Sequence, residues 1–150
     1  MKAIKITRPM WIGEIGPQIA SYVKKFDYPN ITYESFYNSL LSLVQFGGDK
    51  AEMWAVIDDD KPICFASWFV SAPPEVSTAF WDHLYKWVPG SEPILLLGDE
   101  FLNFAKRNRC EFMRCRAVNK KVAGLIKRYA EEKNIKIEDR IDNVLFAQRS

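Results

Sequence analysis

The sequence predicts one α+β domain built on a mixed sheet flanked by helices. Segments with helical spacing and segments with strand alternation follow one another along all 150 residues, with no linker, repeat or low-complexity tract between them. A β-rich stretch, Met53–Ser71, sits between helical segments with a polar turn in its middle. Apolar residues make up 48% of the chain and charged residues 27%, the balance of a folded domain with one hydrophobic core.

The elements follow in order. Residues 2–7 alternate polar and apolar, a short strand. Ile12, Ile15, Ile19, Tyr22, Val23 and Phe26 recur at spacings of three and four, which predicts an amphipathic helix over 12–26 whose start Gly13, Gly16 and Pro17 weaken. Asp27–Asn30 is a loop. Thr32 caps a second helix that runs to about Gln45 and ends at Gly47-Gly48. Met53–Ile57 and Ile63–Ser71 form a hairpin around Asp58–Pro62. After the break at Ala72–Glu75, Thr78–Val88 is a third long strand, ended by Pro89-Gly90-Ser91. Ser91 caps a helix to about Asn108, with Pro93 in its first turn. Glu111–Val118 is a strand, Asn119–Lys133 a helix, and Ile135–Ile137 and Val144–Gln148 closing strands.

Several classes of protein are set aside by composition. Cys64, Cys110 and Cys115 are odd in number and form no Cys-x-x-Cys pair, which points to a reducing, cytoplasmic setting rather than a disulfide scaffold. One histidine, His83, leaves too few ligands for a Cys/His zinc site, so no metal is expected. No stretch approaches the roughly 18 apolar residues of a membrane span, and residues 1–25 carry no signal-peptide pattern. The net charge of +2 does not call for nucleic acid. Asp58-Asp59-Asp60 reads as a solvated turn.

The element order resembles that of the GNAT N-acetyltransferases over nearly the whole chain, most clearly from Met53 to Gln148. Asp82–Tyr85 with Trp87-Val88-Pro89 looks like the family's fourth strand, and Arg116–Asn119 like the end of its fifth. The resemblance implies a mostly antiparallel sheet whose fourth and fifth strands splay apart around acetyl-CoA. It assigns the pantetheine arm to the backbone of Trp87 and Val88, the phosphates to Gly90 and Ser91, and the opening of the last helix to Asn119. Helix N-termini favour such anions through their free amides and dipole. The chain departs from the family pattern in the phosphate loop, where Glu92 and Pro93 stand in place of an Arg- and Gly-rich turn. It departs again at Ile126, where a catalytic Tyr often stands; Tyr129 lies three residues further on.

The implied activity is acetyl transfer from acetyl-CoA to the amine of a small molecule or protein. Asp82 or His83 then serves as base near the acceptor, or else one points to solvent and the other makes a structural hydrogen bond. Tyr129 is the candidate acid, or a core aromatic. The alternative is a degenerate GNAT-like binding or assembly module of bacteriophage, virion-associated kind, which would meet a protein partner through Trp81 and Trp87. The basic run from Lys106 to Arg128 fits coenzyme A phosphates, nucleic acid or a plain solvated face.

Overall fold

The computed structural model describes residues 1–26, 31–71, 77–116, 120–135, 137–140 and 144–148. The elements are β1 (Lys2–Lys5), α1 (Pro9–Glu14), α2 (Gly16–Phe26), α3 (Tyr33–Phe46), β2 (Ala51–Asp58), β3 (Lys61–Val70), β4 (Thr78–Lys86), α4 (Glu92–Arg107), β5 (Phe112–Arg116), α5 (Lys120–Glu132), β6 (Ile137–Arg140) and β7 (Val144–Gln148). The strands form one seven-stranded sheet in the order β1-β2-β3-β4-β5-β7-β6, antiparallel except for the parallel pair β4–β5.

The helix expected over 12–26 is two helices. α1 closes at Ile15, whose backbone leaves helical geometry. Gly16-Pro17 explains the break, because the Pro17 ring lacks an amide and crowds the carbonyl four residues earlier. Further along, Thr32 caps α3 as predicted. Its hydroxyl accepts from the Ser35 amide at 3.0 Å while Ser35 Oγ accepts from the Thr32 amide at 3.0 Å, a reciprocal box. The β2–β3 hairpin turns through Asp59 and Asp60, both at positive φ (49° and 61°), as a two-residue turn of this twist requires. The strand expected at 135–137 instead spans Ile137–Arg140.

Side-chain alternation sends the sheet's apolar residues to both faces. Met53, Ala55 and Phe65 pack against Ile12, Ile19, Tyr22, Phe36 and Leu40 of α1–α3. Val56, Cys64, Ala66 and Trp68 pack on the other face against Leu97, Phe101 and Phe104 of α4. Of the five Trp, Trp68 is fully buried. Trp11, Trp54, Trp81 and Trp87 are partly buried against these two clusters, Trp81 on the α4 side and Trp87 on the α1–α3 side.

Two irregularities in β4 prepare the site. Trp68 opposes Trp81 and Ser67 opposes His83, so Asp82 is an extra, bulged residue. Pairing with β5 runs from Thr78↔Phe112 to Trp81↔Cys115 and ends there. Bulge and strand separation therefore fall at the same point. The Trp81 indole N–H donates to the His83 carbonyl at 2.9 Å and pins the bulge.

Candidate active site

Beyond Trp81 the separated strands open onto a groove of about 490 Å³. One wall is Leu84, Tyr85 and Lys86 of β4; Gly90, Ser91 and Ile94 close one end; Lys121, Val122, Leu125 and Arg128 of α5 form the far side, with Lys25 of α2 at the rim. Four of these lining residues are cations and none is a carboxylate. Two helix N-termini, those of α4 and α5, border the same space. Positive side chains and helix ends together make an anion site. That donor set suits a polyphosphate.

The sequence candidates divide at this groove. Gly90 and Ser91 line it, Gly90 at φ +105°, a conformation that side chains rarely adopt. Ser91 occupies the N-cap position of α4 but makes no side-chain cap bond there; its carbonyl accepts from the Ile94 and Leu95 amides. Glu92 and Pro93 are not among the lining residues; both stand in the first turn of α4, where Pro93 is buried and Glu92 exposed. Trp87 and Val88 lie past the end of β4 and do not line the groove. The Trp87 amide is spent on the Ile63 carbonyl at 3.2 Å, and its ring packs on Phe65 and Tyr85. The Val88 carbonyl accepts from Lys86 Nζ at 3.0 Å. Peptide groups alternate in direction along a strand. With Trp87 turned to β3, it is the peptide groups of Leu84 and Lys86 that face the open side. Asn119 lies outside the described residues.

Tyr129 is not brought to the groove. Its hydroxyl donates to Asp99 Oδ1 at 2.7 Å, and its ring lies against Gly98 between α4 and α5. Burial, reinforced by the hydrogen bond to Asp99 and that carboxylate's charge, holds its hydroxyl above the ordinary phenol range. Its hydroxyl is engaged by Asp99 and its ring by Gly98, apart from the residues that line the groove.

Asp82 and His83 do come together, at the bulge. His83 Nε2 stands 3.2 Å from Asp82 Oδ2, and His83 Nδ1 lies 3.0 Å from the Tyr22 hydroxyl. Regular alternation would have put Asp82 and His83 on opposite faces; the bulge lets their side chains meet. Tyr22 completes a chain whose inner end is buried and whose outer end, the Asp82 carboxylate, is half exposed. The imidazole ring is wedged edge-on against Tyr22 and Phe36. Neutral His83 satisfies both contacts with its proton on Nε2 toward Asp82 and the Tyr22 O–H donating to Nδ1. Protonated His83 satisfies both as well, because the tyrosine oxygen can accept instead. The ring can thus gain a proton without losing a partner.

Sequence periodicity marks Tyr22 as a member of the apolar stripe, which it also is. The basic run splits: Lys121 and Arg128 reach the groove, while Arg107 is committed to Glu52. Among the described residues no group of three or more His, Cys, Asp or Glu could hold a metal ion, and no helix is long and apolar enough to cross a membrane.

No protein-family model matches the sequence, and no curated protein matches it significantly. Solved structures do match the fold. A probable acetyltransferase superimposes with TM-score 0.71 at 15% identity, covering 93% of this chain and 92% of the other. A predicted acetyltransferase from Clostridium acetobutylicum, solved with acetyl-CoA, gives TM-score 0.66 at 16% identity over 85% and 87%. The PaiA N-acetyltransferase of Thermoplasma acidophilum, solved with coenzyme A, gives 0.61 at 16% over 99% and 100%. The chain has the GNAT acetyltransferase fold, with its mixed sheet flanked by helices.

Proposed function

We propose that the protein is an N-acyltransferase that moves an acetyl group from acetyl-CoA to an amine. The observation that carries this reading is the coincidence at one point of β4 of three features: the end of β5 pairing, the bulge, and the Asp82–His83–Tyr22 chain. The four groove cations fit the phosphates of coenzyme A. The outward peptide groups of Leu84 and Lys86 fit the amides of its arm. When bound, acetyl-CoA supplies the thioester carbonyl that the amine attacks. Asp82 draws the cationic acceptor to the bulge; His83, with its own proton on Nδ1 toward the Tyr22 oxygen, takes the amine proton on Nε2, where the imidazolium is held by Asp82 until that proton goes to the departing thiolate. Three free cysteines, two of them buried, suit action in a reducing compartment such as the cytoplasm.

The first test is a melting shift. Free acetyl-CoA about 100-fold above its Kd stabilises a one-site protein by about 2.7 kcal/mol, a rise of roughly 5–10 °C for a domain of this size. No shift at millimolar acetyl-CoA would sink the reading and favour a degenerate binding module. Charge reversal supplies a second prediction. Lys121→Glu with Arg128→Glu should weaken coenzyme A binding at least tenfold and flatten its salt dependence, since these phosphate contacts are screened by salt. Both side chains are exposed, so the melting temperature of the free protein should stay within a degree or two. Isothermal titration at two salt concentrations reads the effect.

A further inference from the structure

A second cavity, of about 80 Å³, lies between α4, α5 and the sheet. We infer that it receives the hydrocarbon chain of an acyl group longer than acetyl, so that the preferred thioester carries an acyl group of about four carbons. The inference rests on the acyltransferase reading of the neighbouring groove and names its substrate class.

Position is the first argument. Ile94 and Leu125 line both the cavity and the groove, so the two spaces meet at these side chains. The floor of the cavity includes Trp81 and Cys115, the last paired residues before β4 and β5 separate. An acyl group brought to the bulge has this floor beside it. Chemistry is the second. Phe101, Met113 and Ile126 complete an apolar wall. The one charged lining residue, Arg114, holds its guanidinium over the Phe80 ring, 5.6 Å from the centroid. The Tyr129 hydroxyl is committed to Asp99. Burial pushes the Cys115 thiol up to about 12, so it stays neutral at physiological pH and acts as a small apolar wall rather than a nucleophile. A cavity of this lining holds water poorly and takes hydrocarbon. Size is the third. At about 80 Å³ it is roughly half the 150 Å³ of an apolar cavity that holds benzene. It therefore has room for about three carbons, the number a butyryl group carries beyond its carbonyl.

The experiment titrates free, acetyl-, butyryl- and octanoyl-coenzyme A into the wild-type protein and into Ile126→Trp, which fills the cavity. Butyryl-coenzyme A should bind the wild type about tenfold more tightly than acetyl-coenzyme A, the ratio expected from two further buried methylenes. Octanoyl-coenzyme A should gain nothing more. In Ile126→Trp the butyryl advantage should vanish while free coenzyme A binds as before; if that variant does not fold, Cys115→Met carries the same comparison. Equal acetyl and butyryl affinities in the wild type overturn the inference and leave the acyltransferase reading standing, as does a preference that survives filling or a tightest fit for octanoyl. Failure of every form to bind, free coenzyme A included, overturns both.

Discussion

Glu52→Ala should cost about 3–5 kcal/mol, the usual loss when one partner of a buried charge network is removed. That is about 10–15 °C in melting temperature for a domain of this size, and a large part of the total stability of roughly 5–15 kcal/mol. Glu52 is 1% exposed. Its carboxylate accepts from Trp54 Nε1 at 3.0 Å, Trp68 Nε1 at 3.1 Å and the Arg107 guanidinium at 3.2–3.3 Å, and pairs with Lys5 Nζ at 3.1 Å. One side chain thus ties β1, β2 and β3 to the last turn of α4. Alanine leaves the guanidinium and two indole N–H groups facing a void, and the desolvation cost of each is no longer offset. Thermal or urea unfolding of the variant measures the loss. A change of only a few tenths of a kcal/mol would show that the network is balanced by its own desolvation.

The same residue sets an acid limit on stability. Burial raises the Glu52 pKa, but the hydrogen bonds from Arg107, Trp54, Trp68 and Lys5 overcome that and hold it below the ordinary carboxylate value of 4.5. A group whose pKa is lowered by folding contributes stability that is fully present above its unfolded value. That contribution fades as pH falls through the folded value. The wild type should therefore lose stability below about pH 4.5 more steeply than Glu52→Gln, whose curve lacks this component. The network also bears on the groove. Arg107 ends the helix whose first turn supplies Ser91 and Ile94, so the tie at one end of α4 helps fix the groove at the other.

What the sequence reveals here follows the range of the interaction. The Thr32 cap, the hairpin over Asp59 and Asp60, and the helix after Pro89-Gly90 are set by neighbours within a few residues, and all are legible as local patterns. The break at Ile15 is local too, but the apolar spacing runs straight through it and masks Gly16-Pro17. The bulge at Asp82 is set by register against β3, and nothing in the run Phe80–Tyr85 announces it. Simple alternation therefore separates two side chains that the fold brings to 3.2 Å. Glu52 stands in a strand like any exposed acid; its partners Trp68 and Arg107 are 16 and 55 residues away. Gly90 and Ser91 are legible because the turn between strand and helix fixes them. Trp87 is one residue past Lys86, the nearer of the two peptide groups that face the groove, an offset that only the strand's pairing with Ile63 decides.

If His83 is the base, His83→Gln should lower kcat for amine acetylation by about 10²–10⁴ near neutral pH, the usual contribution of a positioned base. Glutamine keeps the bulk against Phe36 and Tyr22, so the fold and the coenzyme A affinity should persist, and a melting curve checks the first. Asp82→Asn should act in the same direction with a smaller loss, because the imidazolium then lacks its anionic partner while the ring stays in place. Tyr22→Phe removes the group that fixes which nitrogen carries the proton, and belongs with Asp82 as a positioning change. The pH profile separates catalysis from scaffolding. A variant lacking its base still acetylates an amine that has already lost its proton, so activity should recover as pH rises toward the amine's own pKa. A residue that merely supports the bulge would depress the rate equally at every pH. Full kcat in His83→Gln at neutral pH would remove His83 from the chemistry and leave the exposed Asp82 carboxylate as the group to test next.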